Sequence, residues 1–110
     1  MRVLKITPEG TEMLTIRREL KSYQNIVQGY IDIVTLVPGK LIMVVNDEGL
    51  LEGLPLNPGA SAIADRCIVG DVFIAGVQDE EISDIPDGII TAMMSITNLA
   101  IAGHALMEGI

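Results

Sequence analysis

The sequence predicts an α+β domain: a small, mainly antiparallel sheet with a helix in its first half, a short middle helix and a long apolar C-terminal helix. Three observations predict it. Short β-branched runs alternate with turn residues as far as Val77. Apolar residues recur at helical spacing between Ile16 and Val27. The stretch 88–107 carries no formal charge. At 110 residues, 49% of them hydrophobic, the chain is expected to bury its own core as one domain over 1–110, divided into a sheet-containing body (1–87) and a C-terminal helix (88–108). Its aromatics are Phe73, Tyr23 and Tyr30, so that core is aliphatic.

Arg2 to Ile6 alternates around Val3, Leu4 and Ile6 and stops at Thr7-Pro8-Glu9-Gly10, a strand followed by turn residues. Glu12 to Ile16 either pairs back as a second strand or leads into the first helix. Ile16, Leu20, Tyr23 and Val27 then mark one face of a helix over about 17–28, which Gly29 ends. Tyr30–Val37, Pro38-Gly39 and Leu41–Val45 read as a hairpin whose second arm is a central strand. The arm ends at Asn46-Asp47-Glu48-Gly49, with Gly49 taking a positive φ, and Leu50–Leu54 is a candidate short strand. Asn57-Pro58 starts a short helix reaching about Asp65: the amide side chain caps free backbone N–H groups and proline loses nothing at the first position. Cys67–Val77 is strand-like, interrupted at Gly70-Asp71. Gln78–Pro86 is read as an acidic loop, and Asp87 as the cap of the last helix.

Within that last helix Ile89, Ala92, Ile96, Leu99, Gly103 and Leu106 recur in steps of three and four, as in a heptad seam. A subunit interface, an internal core element and a membrane span compete for it. The interface is preferred, because Thr91, Ser95, Thr97, Asn98 and His104 interrupt the apolar run and no basic cluster flanks it. A homo-oligomer is therefore expected and membrane attachment is not.

The net charge of −8 is segregated. Residues 1–40 carry Arg2, Lys5, Arg17, Arg18, Lys21 and Lys40 against four acids; beyond them Arg66 is the single base facing eleven acids. The overall balance and the scarcity of aromatic stacking platforms speak against nucleic acid as a partner. One cysteine, Cys67, forms no internal disulfide and is expected to be buried and inert; the opening MRVLKITPEG lacks a secretory layout, so a cytoplasmic setting is expected.

Catalysis finds little support. The single histidine, His104, lies on the apolar helix, away from any sequence-evident nucleophile. One His and one Cys are too few for a zinc site, Asp47, Glu48 and Glu52 do not follow a calcium-loop pattern, and no glycine-rich phosphate loop occurs, so neither metal nor cofactor is expected. Binding has candidates. Arg17, Arg18 and Lys21 near the start of the first helix suit an anion, although a solvated helix face balanced by Glu19 is the preferred explanation; Arg66 suits one too, with neutralisation of Asp65 or Asp71 preferred.

Gly29-Tyr30-Ile31-Asp32, Val45-Asn46-Asp47-Glu48-Gly49, Leu54-Pro55-Leu56-Asn57 followed by Ala60, and Gly70-Asp71 resemble, in order and spacing, a domain of unknown function from phage, plasmid and bacterial proteins. The resemblance covers about residues 24–77; the family pattern has a paired glycine where this chain has Gln28-Gly29, and the terminal helix lies outside it. It implies an accessory protein of a mobile element, in the host cytoplasm if phage-encoded, and brings no catalytic residues. Two counter-defence roles follow as expectations. One is a sponge holding a nucleotide-type immune signal between subunits, with Arg17, Arg18, Lys21 or Arg66 on phosphates and Asn46 or Asn57 on a base or ribose. The other is an acidic DNA mimic or protein-binding inhibitor of a host defence enzyme. A structural or adaptor subunit is the plainer alternative.

Overall fold

A computed structural model describes residues 1–108, and positions 109 and 110 of the expected domain lie outside the described residues. Six strands form one antiparallel sheet: β1 (Arg2–Thr7), β2 (Gly10–Thr15), β3 (Ile31–Val37), β4 (Leu41–Asn46), β5 (Val72–Gln78) and β6 (Glu81–Ser83). Their order is β2-β1-β5-β4-β3, with β6 continuing beside β5 past the end of β1. Three α-helices clad it: α1 (Leu20–Val27), α2 (Pro58–Ala64) and α3 (Ile90–Glu108), the last entered through a 3-10 turn, Asp87–Ile89.

Alternation along the strands sorts side chains into two cores. Val3, Ile42, Val44, Phe73 and Ala75 point to one face, where Tyr23, Ile26 and Val27 of α1 cover them. Leu4, Ile6, Met43, Val72 and Ile74 point to the other, beneath Ala60 of α2 and Met93 and Met94 of α3. The inner strand β4 is buried at all six positions because both its faces are clad, which is why it reads as an unbroken apolar run. On the α1 side, Tyr23 and Phe73 pack with their rings tilted by 46° and their centroids 5.6 Å apart.

Several sequence expectations are corrected. Residues 10–15 form a strand, settling the alternative left open there. The first helix starts at Leu20 rather than 17, and Ile26 replaces the half-exposed Leu20 on its buried face, since the chain crosses from the β2 edge before it can coil. Leu50–Leu54 forms turns, with the positive φ on Gly53 (68°) and not on Gly49, which packs too tightly against Val69 to accept a Cβ. The fifth strand begins at Val72, because Gly70 (φ 75°) turns the chain first. The acidic loop holds a strand, β6, hairpinned to β5. Asp87 does not cap a helix; its carboxylate pairs with the Arg2 guanidinium at 2.7 Å. Cys67 is exposed, lying beyond the α2 terminus where the chain has left the core.

Candidate functional site

The basic segment sits where the edge strand β2 hands over to α1. Ile16 N–H donates to the Met1 carbonyl (2.8 Å), pinning the crossing, and the exposed Arg17 and Arg18 follow at once. Helix α1 has no side-chain cap at Glu19 and no acidic residue in its first turn. Its free amide groups carry roughly half a positive charge, Arg17, Arg18 and exposed Lys21 add three more, and exposed Glu19 at the cap position takes one away. Among the described residues the ion pairs are Arg2–Asp87 and Lys5–Asp71, so none of these three bases is paired. The Arg18 charge is nevertheless felt at Tyr23: burial pushes that phenol's pKa up, Arg18 pulls it down, and Glu81 pushes it up again.

The remaining sequence candidates lie elsewhere. Asn57 is fully buried: its carbonyl oxygen caps the Ala60 N–H (3.1 Å) and its amide donates to the carbonyls of Ile6 (2.9 Å) and Gly70 (2.8 Å). It has no surface to offer a base or ribose, which corrects its candidacy; capping and strand-tying consume it. Asn46 is buried under the carboxyl end of α1, donating to the Val27 carbonyl (3.0 Å) and accepting from the Glu48 N–H (2.8 Å). It too serves the framework, and Gly29 is needed beside it because a Cβ there would stand 2.7 Å from its amide nitrogen. Arg66 is exposed just past α2, on the face of the sheet opposite α1, and Asp71 is engaged by Lys5 at 3.7 Å instead. One chain therefore carries Arg17, Arg18 and Lys21 in one exposed segment and leaves Arg66 apart.

Two hollows that the sequence did not reveal flank residues 46–52. One, of about 510 Å3, is walled by Gln24, Asn25, Gln28 and Gly29 with Tyr30, Glu48 and Glu52. The other, of about 350 Å3, lies between Val45–Leu51 and Cys67–Val69. Neither is lined by Lys or Arg, and both include Glu48. They form where segments distant in sequence meet, so no local spacing announces them. Around them the resemblance motifs interlock: Gly70 N–H donates to the Pro55 carbonyl (2.8 Å), Leu54 N–H to that of Gly49 (3.0 Å), and Leu56 bridges Val69.

His104 lies partly buried on α3, and among the described residues no three of His, Cys, Asp and Glu gather as a metal site would require. Asp87–Met107 is long and apolar enough, by length and composition, to cross a membrane, with mean hydropathy 1.5.

A sheet clad by one helix on one face and two on the other, with a basic helix start and an apolar terminal helix, defines a small three-layer α+β domain. The chain belongs to the family described as Domain of unknown function (DUF3846), whose model matches residues 1–98. That match extends the 24–77 resemblance in both directions and takes in the first half of α3. No curated protein and no solved structure matches the chain.

Proposed function

We propose that this protein is a non-enzymatic binding protein that sequesters a small phosphate-bearing ligand of nucleotide type, the counter-defence task of a mobile-element accessory protein. The observation that carries this reading is the amino end of α1. Uncapped backbone amides and three exposed, unpaired bases occur in one short segment there, and helix amino ends are ready-made anion sites. In this reading Arg17, Arg18 and Lys21 grip phosphate oxygens, and the Leu20 and Lys21 amides point at the same anion. Assembly of copies lets exposed ligand surface be covered from a second chain.

Isothermal titration with cyclic nucleotides and ADP-ribose derivatives tests it. A saturable heat is expected from at least one of them, weakened at high salt because the site is exposed, and abolished by Arg17→Ala with Lys21→Ala. Absence of heat from the whole panel removes the reading.

A protein-binding inhibitor or adaptor is the second reading, favoured by the two hollows. Exposed Tyr30, Leu50 and Leu51 surround Glu48 and Glu52, a combination suited to a polypeptide with basic and apolar side chains. A DNA mimic would draw on the same carboxylates. Heat from a basic, leucine-containing peptide, lost on Glu48→Gln with Glu52→Gln, would favour it over sequestration.

A further inference from the structure

Most of the seam is exposed; Ile89, in the 3-10 turn before α3, packs against the core and Gly103 is half-buried. Met93, Met94 and Thr97 turn inward, and Gly59 of α2 lies so close that a Cβ on it would stand 2.5 Å from the Thr97 methyl. Ala92, Ile96, Leu99 and Leu106 are left outside, Leu99 at 74% and Leu106 at 73% relative exposure. At about 100° per residue, this stripe is centred roughly a third of a turn from the packed face. Thr91, Ser95 and Asn98 occupy the opposite flank of the helix. The apolar stripe is thus a flank, along which another helix can lie while the polar residues stay in water.

We infer that α3 joins two copies of this chain along that flank, antiparallel, about a twofold axis between residues 97 and 98. Three features of the chain select this occupant. The 4-3-4-3 spacing from Ala92 to Leu106 on α3 is the period with which one helix follows another. The residues also match in size when the copies run in opposite directions: Ala92 meets Gly103 and Ile96 meets Leu99, while Leu106 comes level with the turn that leads into α3. Small faces small and large faces large, as an isologous interface demands. Charge does the rest. Each copy carries −8, and the uncharged strip 88–107 is where a like-charged neighbour approaches at least cost. A parallel pair would set Asp87 beside Asp87, and the antiparallel register sets it level with Glu108 of the other copy, so the antiparallel sense rests on the opposed helix dipoles. The same negative charge repels an anionic lipid surface. This inference stands independently of what the α1 end binds.

A helix of 19 residues offers less than the roughly 800 Å2 per partner of a standard interface, so micromolar association is the expected strength. Sedimentation equilibrium on the full chain should show a monomer–dimer equilibrium. Leu99→Glu and Leu106→Glu should each weaken it at least about tenfold with an unchanged circular dichroism spectrum, both side chains being exposed already. Asn98→Glu, on the opposite flank, should leave it intact. Direction is read in a Cys67→Ser background: mixed Ala92→Cys and Gly103→Cys chains should cross-link to each other, and Ala92→Cys alone should not. A monomer throughout, or flotation of the protein with phosphatidylcholine vesicles, overturns the dimer. Self-cross-linking of Ala92→Cys overturns its antiparallel sense.

Discussion

Asn57→Ala removes three hydrogen bonds from a side chain with no exposed surface. Loss of the α2 cap costs about 1 kcal/mol. The carbonyls of Ile6 and Gly70 each lose a donor in a dry interior, which adds about 1–3 kcal/mol apiece. The sum is about 3–7 kcal/mol, a large share of the 5–15 kcal/mol that holds a typical domain together. In a domain of this size that lowers the melting temperature by at least about 10 °C. Asn57→Asp divides the total: the cap acceptor survives, but a carboxylate now faces two carbonyl oxygens, so it should be at least as damaging as alanine. Urea titration and thermal melts followed by circular dichroism give both values. A loss near 1 kcal/mol for Asn57→Ala would mean that the cap alone matters and that the ties to β1 and Gly70 contribute nothing. A fully stable Asn57→Asp would refute the bonding pattern itself.

Other perturbations test other parts of the fold. The β5–β6 turn places Asp79 (φ 52°) and Glu80 (φ 65°) in left-handed conformation without a glycine; Glu80→Gly should relieve strain and stabilise the protein by up to about 1 kcal/mol, read in the same melts. Gly59→Ala drives a methyl into Thr97 and should cost about 1–3 kcal/mol, and hydrogen exchange should show the loss concentrated in α2 and α3. The raised Tyr23 pKa means that the folded state holds the phenolic proton more tightly than the unfolded chain. Its contribution is therefore complete below the ordinary tyrosine value near pH 10 and is lost as pH climbs through the higher folded value. Tyr23→Phe should flatten that alkaline decline in a pH series of urea melts; an unchanged slope contradicts the linkage.

Local chemistry carried most of the fold in the sequence. Asn57-Pro58 announced α2 because a cap needs only its own next three residues, and the Pro38-Gly39 turn announced the β3–β4 hairpin for the same reason, with Gly39 at φ 72°. The continuous apolar run of β4 marked a strand covered on both sides. Errors arose where tertiary contacts decide. Asp87 looked like a cap until Arg2, 85 residues away, claimed it. The Leu50–Leu54 turns are set by Gly49 lying against Val69, a contact no local pattern encodes.

The site was legible only in part. Arg17, Arg18 and Lys21 are neighbours in sequence and lie in one exposed segment, whereas Asn46 and Asn57 carry the residue type of a ligand contact and the burial of a structural bond. Resemblance to a family added context and no chemistry. The hollow beside Tyr30 was invisible because Gln24–Gly29 and Glu48–Glu52 meet only in the fold.

Phosphate recognition at the amino end of α1 is tested most directly by following backbone amide resonances while a cyclic dinucleotide is added. The largest saturable shifts should fall on Leu20 and Lys21, whose N–H groups open the helix, with smaller ones at Arg17 and Arg18 and none around Arg66. Shifts centred instead on Tyr30, Glu48 and Glu52, or no saturable shift with any phosphate-bearing nucleotide, would contradict it.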